Sequence, residues 1–203
     1  MHVYHIPGPA PMLTNTYLAV DDGGTAVAVD PAADVQQYRD SLAAHGAHLA
    51  AILLTHGHYD HVGSAQALKD ATGAPIYMGL ADAAHSRLLP MRPEQIDHGL
   101  GDGQILTFGG LSLQVLATPG HSAGSCCFLC GDVLFSGDTL FAGDIGRTDL
   151  DNSDPDAMAA TMQRLWQTFI RSQAVQVLPG HGPFSSMAEE LAGNYYLRRY
   201  GAR

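Results

Sequence analysis

The sequence predicts an α/β protein, because segments of strand character and segments of helical character alternate along its 203 residues. Apolar runs of strand length occupy residues 50–54, 111–116 and 175–178, and each ends in a turn of small residues. Between them lie stretches whose apolar residues recur at helical spacing. This alternation fits two packed sheets with helices outside, although layering alone also permits other α/β folds.

The first third of the chain is rich in strands. We predict strands at residues 3–6, 16–20 and 25–29, with the last two joined by the hairpin turn Asp21-Asp22-Gly23-Gly24. Residues 34–45 have an amphipathic helical pattern that ends before Gly46.

The remaining elements follow the same alternation. Residues 62–72 predict a second helix ended by Gly73, and residues 75–78 a short strand. Residues 79–101 contain two prolines and predict an irregular excursion, which either walls one side of an active site or lies on the surface. Further strands run to Ser136, and residues 155–171 predict a third helix. The length suits a single domain covering residues 1–203.

A histidine-rich motif follows the apolar run at residues 50–54. It reads Thr55-His56-Gly57-His58-Tyr59-Asp60-His61, or H-x-H-x-D-H. Residues two apart in an extended segment point to the same side, so His56 and His58 can bind one metal ion together. Asp60 and His61 come after the chain turns and can face a second position nearby. Imidazole and carboxylate groups are ligands of Zn, Fe and Mn in proteins.

Three more turns carry a single ligand-type residue each. Pro119-Gly120-His121, Ser136-Gly137-Asp138 and Pro179-Gly180-His181 all follow apolar runs of strand character. Because functional sites in α/β sheets gather at the carboxyl ends of strands, we expect these turns to converge. One Gly-His turn alone is weak evidence, but four turns of the same kind predict a metal site.

These motifs resemble those of the metallo-β-lactamase-fold hydrolase superfamily. The resemblance covers nearly the whole chain and implies a four-layer αβ/βα sandwich. It also implies that His56, His58 and His121 hold one metal ion, and that Asp60, His61 and His181 hold a second. Asp138 would bridge the two ions, and Asp30 would orient a ligand from behind. The family usually has glycine two residues after that Asp, where this chain has Ala32.

Within the superfamily, residues 137–149 resemble the signature of the glyoxalase II-like branch. True metallo-β-lactamases place Cys or another residue where Asp138 stands, which argues against antibiotic hydrolysis. Only a short segment follows His181, so we expect no C-terminal helical glutathione-binding domain, as in the compact single-domain type II glyoxalases of bacteria. Persulfide dioxygenases share the Gly146-Arg147-Thr148-Asp149 segment, and their single iron would here be held by His56, His121 and Asp138.

The resemblance implies hydrolysis of a thioester, S-D-lactoylglutathione, to D-lactate and glutathione. Two divalent ions, zinc first and iron or manganese as alternatives, would hold a bridging hydroxide and polarise the carbonyl. Asp60 would orient that hydroxide and take its proton. The sequence has no G-x-S-x-G motif that would indicate a serine hydrolase. A non-catalytic, metal-stabilised module would have no use for a site with an open water position.

Composition restricts the partners. The formal net charge of −10 argues against nucleic acid and anionic membranes and leaves a small-molecule substrate. No apolar run is long enough to span a membrane, and the start lacks the pattern of a secretory signal, so we expect a cytoplasmic protein.

Arg147 is the candidate for binding a substrate carboxylate, because it is the sole basic residue between Arg92 and Arg164. The alternative is a salt bridge from Arg147 to Asp144 or Asp149. Weaker candidates for substrate contact are Tyr195, Tyr196 and Arg198.

Cysteines and the remaining histidines are assigned to structure. The three cysteines Cys126, Cys127 and Cys130 lie in one strand-like run and are expected to be reduced and packed in the core. Six histidines outside the motifs are expected at the surface or in loops: His2, His5, His45, His48, His85 and His98.

Overall fold

The structure is a computed structural model that describes residues 1–201, and its strands form two six-stranded sheets and a small hairpin. In the first sheet, spatial order follows chain order. Its strands are β1 (His2–Pro7), β2 (Asn15–Val20), β3 (Thr25–Val29), β4 (His48–Leu53), β5 (Ile76–Met78) and β6 (His98–Gly99). The pairs β1–β2 and β2–β3 are antiparallel, whereas β3 through β6 run parallel to one another.

The second sheet comes from the later part of the chain. Its strands are β7 (Ile105–Phe108), β8 (Leu111–Ala117), β9 (Cys126–Cys130), β10 (Val133–Gly137), β13 (Gln176–Pro179) and β14 (Ser185–Ser186). The hairpin consists of β11 (Leu140–Phe141) and β12 (Asp144–Ile145). The spatial order is β14-β13-β10-β9-β8-β7. Because β9 is antiparallel to both β8 and β10, and β13 is parallel to β10, the strands β8, β10 and β13 all end at the same edge.

Within residues 1–201, six α-helices accompany the sheets: α1 (Val35–Ala44), α2 (Tyr59–Val62), α3 (Ala65–Thr72), α4 (Pro155–Phe169), α5 (Met187–Gly193) and α6 (Tyr195–Gly201). Side chains cap the N-termini of α1, α4 and α5. The Asp34 carboxylate accepts from the N–H of Gln36, that of Asp154 from Asp156 and Ala157, and Ser186 forms a capping box with Glu189.

Three apolar layers hold the elements together. The first, which includes Leu18, Tyr38 and Leu68, lies between the first sheet and helices α1 and α3. The second fills the space between the sheets. The third, which includes Phe169, packs the second sheet against α4, α5 and α6, and Leu197 of α6 is also part of it. Alternate residues of each strand therefore face different layers, and the predicted four-layer αβ/βα sandwich is confirmed.

One predicted element is wrong in its bounds. The helix expected at residues 62–72 begins only at Ala65, as α3, and a separate short helix, α2, ends at Val62 before the chain changes direction at Gly63 and Ser64. The Ser64 N–H donates to the Pro31 carbonyl at 2.9 Å, and its hydroxyl donates to the Ala33 carbonyl at 2.5 Å. These bonds attach the break to the loop after β3. As a result, Asp60 and His61 lie in the short first helix.

Several smaller expectations are met. Residues 79–101 contain two short 3₁₀ turns and the edge strand β6, and Leu88 from this segment lines the cleft described below. The three cysteines are free and buried within β9, where burial raises the pKa of each thiol. All six histidines outside the motifs are exposed. Across residues 1–201, none of the helices combines the length and apolar character needed to cross a membrane.

Candidate metal centre

The candidate site lies where strand ends of both sheets meet. The motif loop leaves β4, and the turns with His121, Asp138 and His181 follow β8, β10 and β13. Backbone hydrogen bonds join the two sheets at this edge: the Asn15 N–H donates to the Gly180 carbonyl at 2.7 Å, and that of Cys126 to the Thr55 carbonyl at 2.8 Å. The four turns therefore converge as the sequence predicts.

The first group of donors consists of His56, His58 and His121, all of which are buried. Their ligand nitrogens lie within 4.8 Å of one another. The Nε2 atom of His121 is 2.9 Å from Nδ1 of His58. Two imidazole nitrogens at this separation need a shared proton or a cation between them.

Asp60, His61 and His181 form the second group. The Nε2 atom of His181 lies 3.2 Å from Oδ2 of Asp60 and 3.2 Å from Nε2 of His61. This group is more open than the first, because the His181 side chain is 25% exposed whereas that of His61 is fully buried.

Asp138 lies between the two groups. Its Oδ1 atom is 3.3 Å from Nε2 of His61, and its Oδ2 atom is 3.4 Å from Nε2 of His121 and 3.6 Å from that of His181. One carboxylate thus approaches histidines of both groups, which is the position that a bridging ligand requires.

Two buried polar atoms at this centre indicate that the residues fit a metal. In the described part of the chain, Nε2 of His56 and Oδ1 of Asp138 are the buried side-chain atoms without a hydrogen bond, because the 3.3 Å approach of His61 to Oδ1 does not have hydrogen-bond geometry. An unpartnered buried polar atom costs about 1–3 kcal/mol, so its retention needs a reason. Both atoms face the centre of the donor set, and coordination of a cation would satisfy them.

The outward-facing nitrogen of every histidine in the set is held by another group. Nδ1 of His61 faces Asp30 at 3.0 Å, and that of His56 faces the Thr55 hydroxyl at 3.1 Å. His121 and His181 face backbone carbonyls, those of Arg147 at 2.9 Å and Met12 at 3.2 Å, and Nε2 of His58 is 3.4 Å from the Asn152 amide oxygen. Such outer partners fix the tautomer and aim the inner nitrogen, as is usual for metal-binding histidines.

Electrostatics distinguish the two groups. Complete burial, reinforced by the neighbouring histidines, holds the pKa of His56 well below its usual value, so His56 is neutral and keeps its lone pair. Burial would also lower the pKa of His61, but the charges of Asp138 and Asp30 outweigh it and raise that pKa. Burial opposes ionisation of Asp60, yet its hydrogen bond to His181 and the charge of His61 lower the pKa to about 2.

Asp30, which with His56 and His61 forms a third group of closely spaced donors, is placed to orient ligands. Its Oδ1 atom accepts from the Thr55 N–H at 2.7 Å, and its Oδ2 atom accepts from the Thr55 hydroxyl at 2.6 Å and faces His61. Both oxygens are therefore occupied by protein donors. Asp30 itself has a φ of 49°, a left-handed conformation that non-glycine residues adopt at a cost.

The structure adds three side chains that the sequence analysis did not select. Thr55 connects Asp30 to His56, and Asn152 contacts His58. Asp82, from the excursion at residues 79–101, is fully buried and accepts from the Gly57 N–H, the Ser122 hydroxyl and the Gly124 N–H at 2.9, 2.6 and 2.7 Å. It ties the motif loop to the His121 turn. No local pattern distinguishes these residues from ordinary polar loop residues.

A cleft of about 450 Å³ opens over the donor set. Apolar side chains form much of its wall: Met12, Tyr59, Leu88, Phe141, Ile145 and Leu150. Asp60, Asp138 and His181 face into the cleft from the metal centre, and Arg147 stands at its side. Such an enclosure suits a small molecule with an apolar portion.

Arg147 lines the cleft but is already paired. Its guanidinium donates to both oxygens of Asp149, at 2.6 and 2.9 Å, and both side chains are exposed. Tyr195 and Arg198 line a separate cavity of about 370 Å³ that shares no lining residue with the cleft.

The sandwich fold and the inward-facing His/Asp set together define a metal-binding protein of the α/β class. The model of the metallo-beta-lactamase superfamily matches residues 9–185, and the chain belongs to this superfamily.

Two curated relatives extend the similarity over most of the chain. It is 35% identical over 178 residues to the probable polyketide biosynthesis zinc-dependent hydrolase BaeB of Bacillus velezensis, covering 86% of this chain and 76% of BaeB. It is 30% identical over 199 residues to the hydroxyacylglutathione hydrolase GloC of Haemophilus influenzae, covering 90% of this chain and 92% of GloC. Both relatives are named as hydrolases.

Solved structures agree on the fold, and the one activity named among three of them is that of a lactamase, unlike the activity named for GloC. BLEG-1, a B3 metallo-beta-lactamase, has a TM-score of 0.86 at 32% identity, covering 97% of this chain and 99% of BLEG-1. ETHE1 from Myxococcus xanthus has a TM-score of 0.80 at 28% identity, covering 100% of this chain and 86% of ETHE1. TTHA1623 in a di-iron-bound form has a TM-score of 0.78 at 33% identity, covering 95% of this chain and 99% of TTHA1623. Similarity of fold therefore does not select one reaction.

Proposed function

We propose that this protein is a metal-dependent thioester hydrolase that uses two divalent ions. The observation that carries the proposal is the position of Asp138 between two donor groups, together with unpartnered Oδ1 and His56 Nε2 atoms. Zinc is the proposed metal, with iron and manganese as alternatives, since all three accept imidazole and carboxylate ligands. The name of BaeB and the di-iron form of TTHA1623 support this choice of metals.

The proposed substrate is S-D-lactoylglutathione, which water would cleave at the C–S bond to give D-lactate and glutathione. The similarity to GloC over 90% of this chain supports this substrate. The apolar wall formed by Phe141, Ile145 and Leu150 is suited to the acyl group. A thiolate is a stable leaving group, so the reaction needs little help from a protein acid.

The bound ions and the Asp60 side chain have different roles in the proposed hydrolysis. Bound divalent ions supply Lewis acidity toward a carbonyl group and make water more acidic near neutral pH. Asp60 is ionised at neutral pH and faces the cleft, so its carboxylate can accept a hydrogen bond from the attacking water and orient it. The Thr14 hydroxyl donates to Oδ2 of Asp60 at 3.3 Å and restrains that carboxylate.

Persulfide oxidation by dioxygen is the second candidate. The structural similarity to ETHE1 favours it, and His56, His121 and Asp138 would be the ligands of a single iron. Against it, His58, Asp60, His61 and His181 also direct donor atoms to the centre. A single-iron site would leave these four donors without a metal.

A panel of substrates tests the proposal. Protein reconstituted with zinc, manganese or ferrous iron would be assayed with S-D-lactoylglutathione, with glutathione persulfide under oxygen, and with a β-lactam because of the similarity to BLEG-1. We expect thioester hydrolysis, and we expect loss of this activity in the Asp60→Asn variant. Oxygen consumption with the persulfide and no thioester cleavage would reject the proposal.

We also propose a small-molecule partner and a cytoplasmic location. The net charge of −10 disfavours binding to nucleic acid or anionic membranes. The free, buried thiols of Cys126, Cys127 and Cys130 are consistent with a reducing compartment.

A further inference from the structure

Apart from the metal ions proposed above, the cleft over the metal centre is poor in available positive charge. Asp60, Asp138 and Asp144 all line it, and Arg147 is the single Lys or Arg among its described lining residues. Both oxygens of Asp149 already accept from the Arg147 guanidinium. An anionic group could bind only the remaining N–H groups of Arg147, and the Asp149 carboxylate, which offsets the charge of Arg147, would repel it. Thiol carriers such as glutathione and coenzyme A are anionic, so they need a cation from elsewhere.

Arg87 supplies an unpaired cation next to the cleft. It is exposed, and within residues 1–201 it has neither an ion pair nor a hydrogen bond to the protein. It lines a cavity of about 450 Å³ together with Tyr59 and Leu88, and these two side chains also line the metal-site cleft. The two cavities thus adjoin, with Tyr59 and Leu88 as their common wall.

This arrangement lets one elongated molecule occupy both cavities. Its acyl group would lie against the apolar wall of the cleft, with the reacting carbonyl at the metal centre. Its thiol-bearing half would pass the exposed residue Tyr59 and reach Arg87. A guanidinium binds carboxylate and phosphate groups through two parallel hydrogen bonds, and it keeps its positive charge at every physiological pH.

We propose that Arg87, with Tyr59 and Leu88, forms an anion-binding subsite for the thiol-bearing half of the substrate. The subsite rests on the proposed thioester hydrolysis for its place in catalysis. The group that binds Arg87 is a carboxylate if the thiol is glutathione, or a phosphate if the thiol is coenzyme A. Arg87 therefore takes the role that the sequence analysis gave to Arg147.

Binding of product thiols tests the subsite without turnover. Calorimetry would compare glutathione, coenzyme A and the uncharged N-acetylcysteamine on zinc-loaded wild type, Arg87→Ala and Arg171→Ala. Arg171 is exposed beyond the C-terminal end of α4, and its replacement removes the same charge away from the cleft. We expect Arg87→Ala to weaken at least one anionic thiol about fivefold or more and to leave N-acetylcysteamine unchanged, with Arg171→Ala like wild type.

The identity of the weakened thiol assigns the ligand. If Arg87→Ala lowers the affinity for glutathione alone, the group that binds Arg87 is a carboxylate. If it lowers the affinity for coenzyme A alone, that group is a phosphate. Equal affinities of wild type and Arg87→Ala for both anionic thiols would overturn the subsite, as would an equal loss for N-acetylcysteamine. Absence of anionic-thiol binding in wild type would overturn it as well.

Kinetics separate failure of the subsite from failure of the proposed function. With thioesters of the same three thiols, Arg87→Ala should raise KM for the anionic substrate while kcat falls less, the sign of lost uniform binding. Thioester hydrolysis that does not depend on Arg87 would reject the subsite and retain the function. Selective loss of thiol binding without hydrolysis of any thioester would retain the subsite and reject the function.

Discussion

The Asp30 carboxylate lies 3.0 Å from Nδ1 of His61, and both side chains are buried. The same carboxylate accepts from the Thr55 hydroxyl, which in turn contacts Nδ1 of His56. Asp30 therefore fixes one histidine from each donor group, one directly and one through Thr55. The left-handed backbone of Asp30 brings its side chain behind both rings.

Replacing Asp30 should loosen the metal centre. In Asp30→Asn, the amide NH₂ cannot accept the bonds that the carboxylate oxygens accept, so His61 or Thr55 loses its partner. We expect metal affinity or activity to fall about 10- to 100-fold, as for other partners of metal-binding histidines. Competition with a chelator measures the affinity. Asp34→Asn is the matched control, because Asn caps a helix as well as Asp does. Wild-type metal affinity in Asp30→Asn would contradict this role.

Removing the shared carboxylate should affect both donor groups. Asp138→Ala should lower the metal content and reduce hydrolysis at least about 100-fold, beyond the usual effect of an outer partner. Asp138→Cys should retain part of the metal, because a thiolate can also act as a ligand. Elemental analysis and the thioester assay check both variants. Full activity in Asp138→Ala would refute the bridging position.

Asp82 should matter for stability as well as for metal binding. Asp82→Ala leaves the Gly57 N–H, the Gly124 N–H and the Ser122 hydroxyl without their acceptor. Each lost partner costs about 1–3 kcal/mol, so we expect a loss of at least about 3 kcal/mol in the free energy of unfolding. Urea denaturation measures it, with Asp132→Ala in an exposed turn as control. Equal stability of Asp82→Ala and wild type would show that these three hydrogen bonds make no net contribution to the free energy of unfolding.

The glycine before His181 should not tolerate a side chain. A Cβ atom on Gly180 would lie 2.3 Å from Oδ1 of Asp138 and 2.6 Å from Cε1 of His61. Gly180→Ala should therefore displace ligands of the second group and reduce metal content and activity about tenfold or more. A Cβ atom on Gly193 would meet nothing within 4 Å, so Gly193→Ala is the control and should behave like wild type. Undiminished metal binding by Gly180→Ala would show that Asp138 and His61 can move aside without loss of the metal.

The sequence predicted those parts of the protein that local patterns determine. Strand ends that carry His121, Asp138 and His181 could be recognised because each turn follows an apolar run. Their convergence followed from strand direction, and the order of the layers came from the family resemblance. The break at Gly63 was missed because the apolar pattern of residues 62–72 continues across it. Only the contacts of Ser64 with the loop after β3 explain it.

The outer partners could not be predicted for a different reason. Asp82 lies 25 residues from Gly57 and 42 from Gly124, so its role depends on tertiary packing alone. Asn152 reaches His58 across 94 residues. The sequence predicts the pairing of Arg147 with Asp149 as one of two alternatives, and only the geometry distinguishes this paired guanidinium from the unpaired one of Arg87.

The metal content of active protein shows whether the site uses two ions. Metal-free protein would be titrated with zinc while bound metal, determined by elemental analysis after removal of free ions, and hydrolysis of S-D-lactoylglutathione are followed together. We expect close to two ions per chain, with activity reaching its maximum as the second ion binds. One tightly bound iron in protein purified without added metal, with no thioester hydrolysis after zinc or manganese is added, would contradict it.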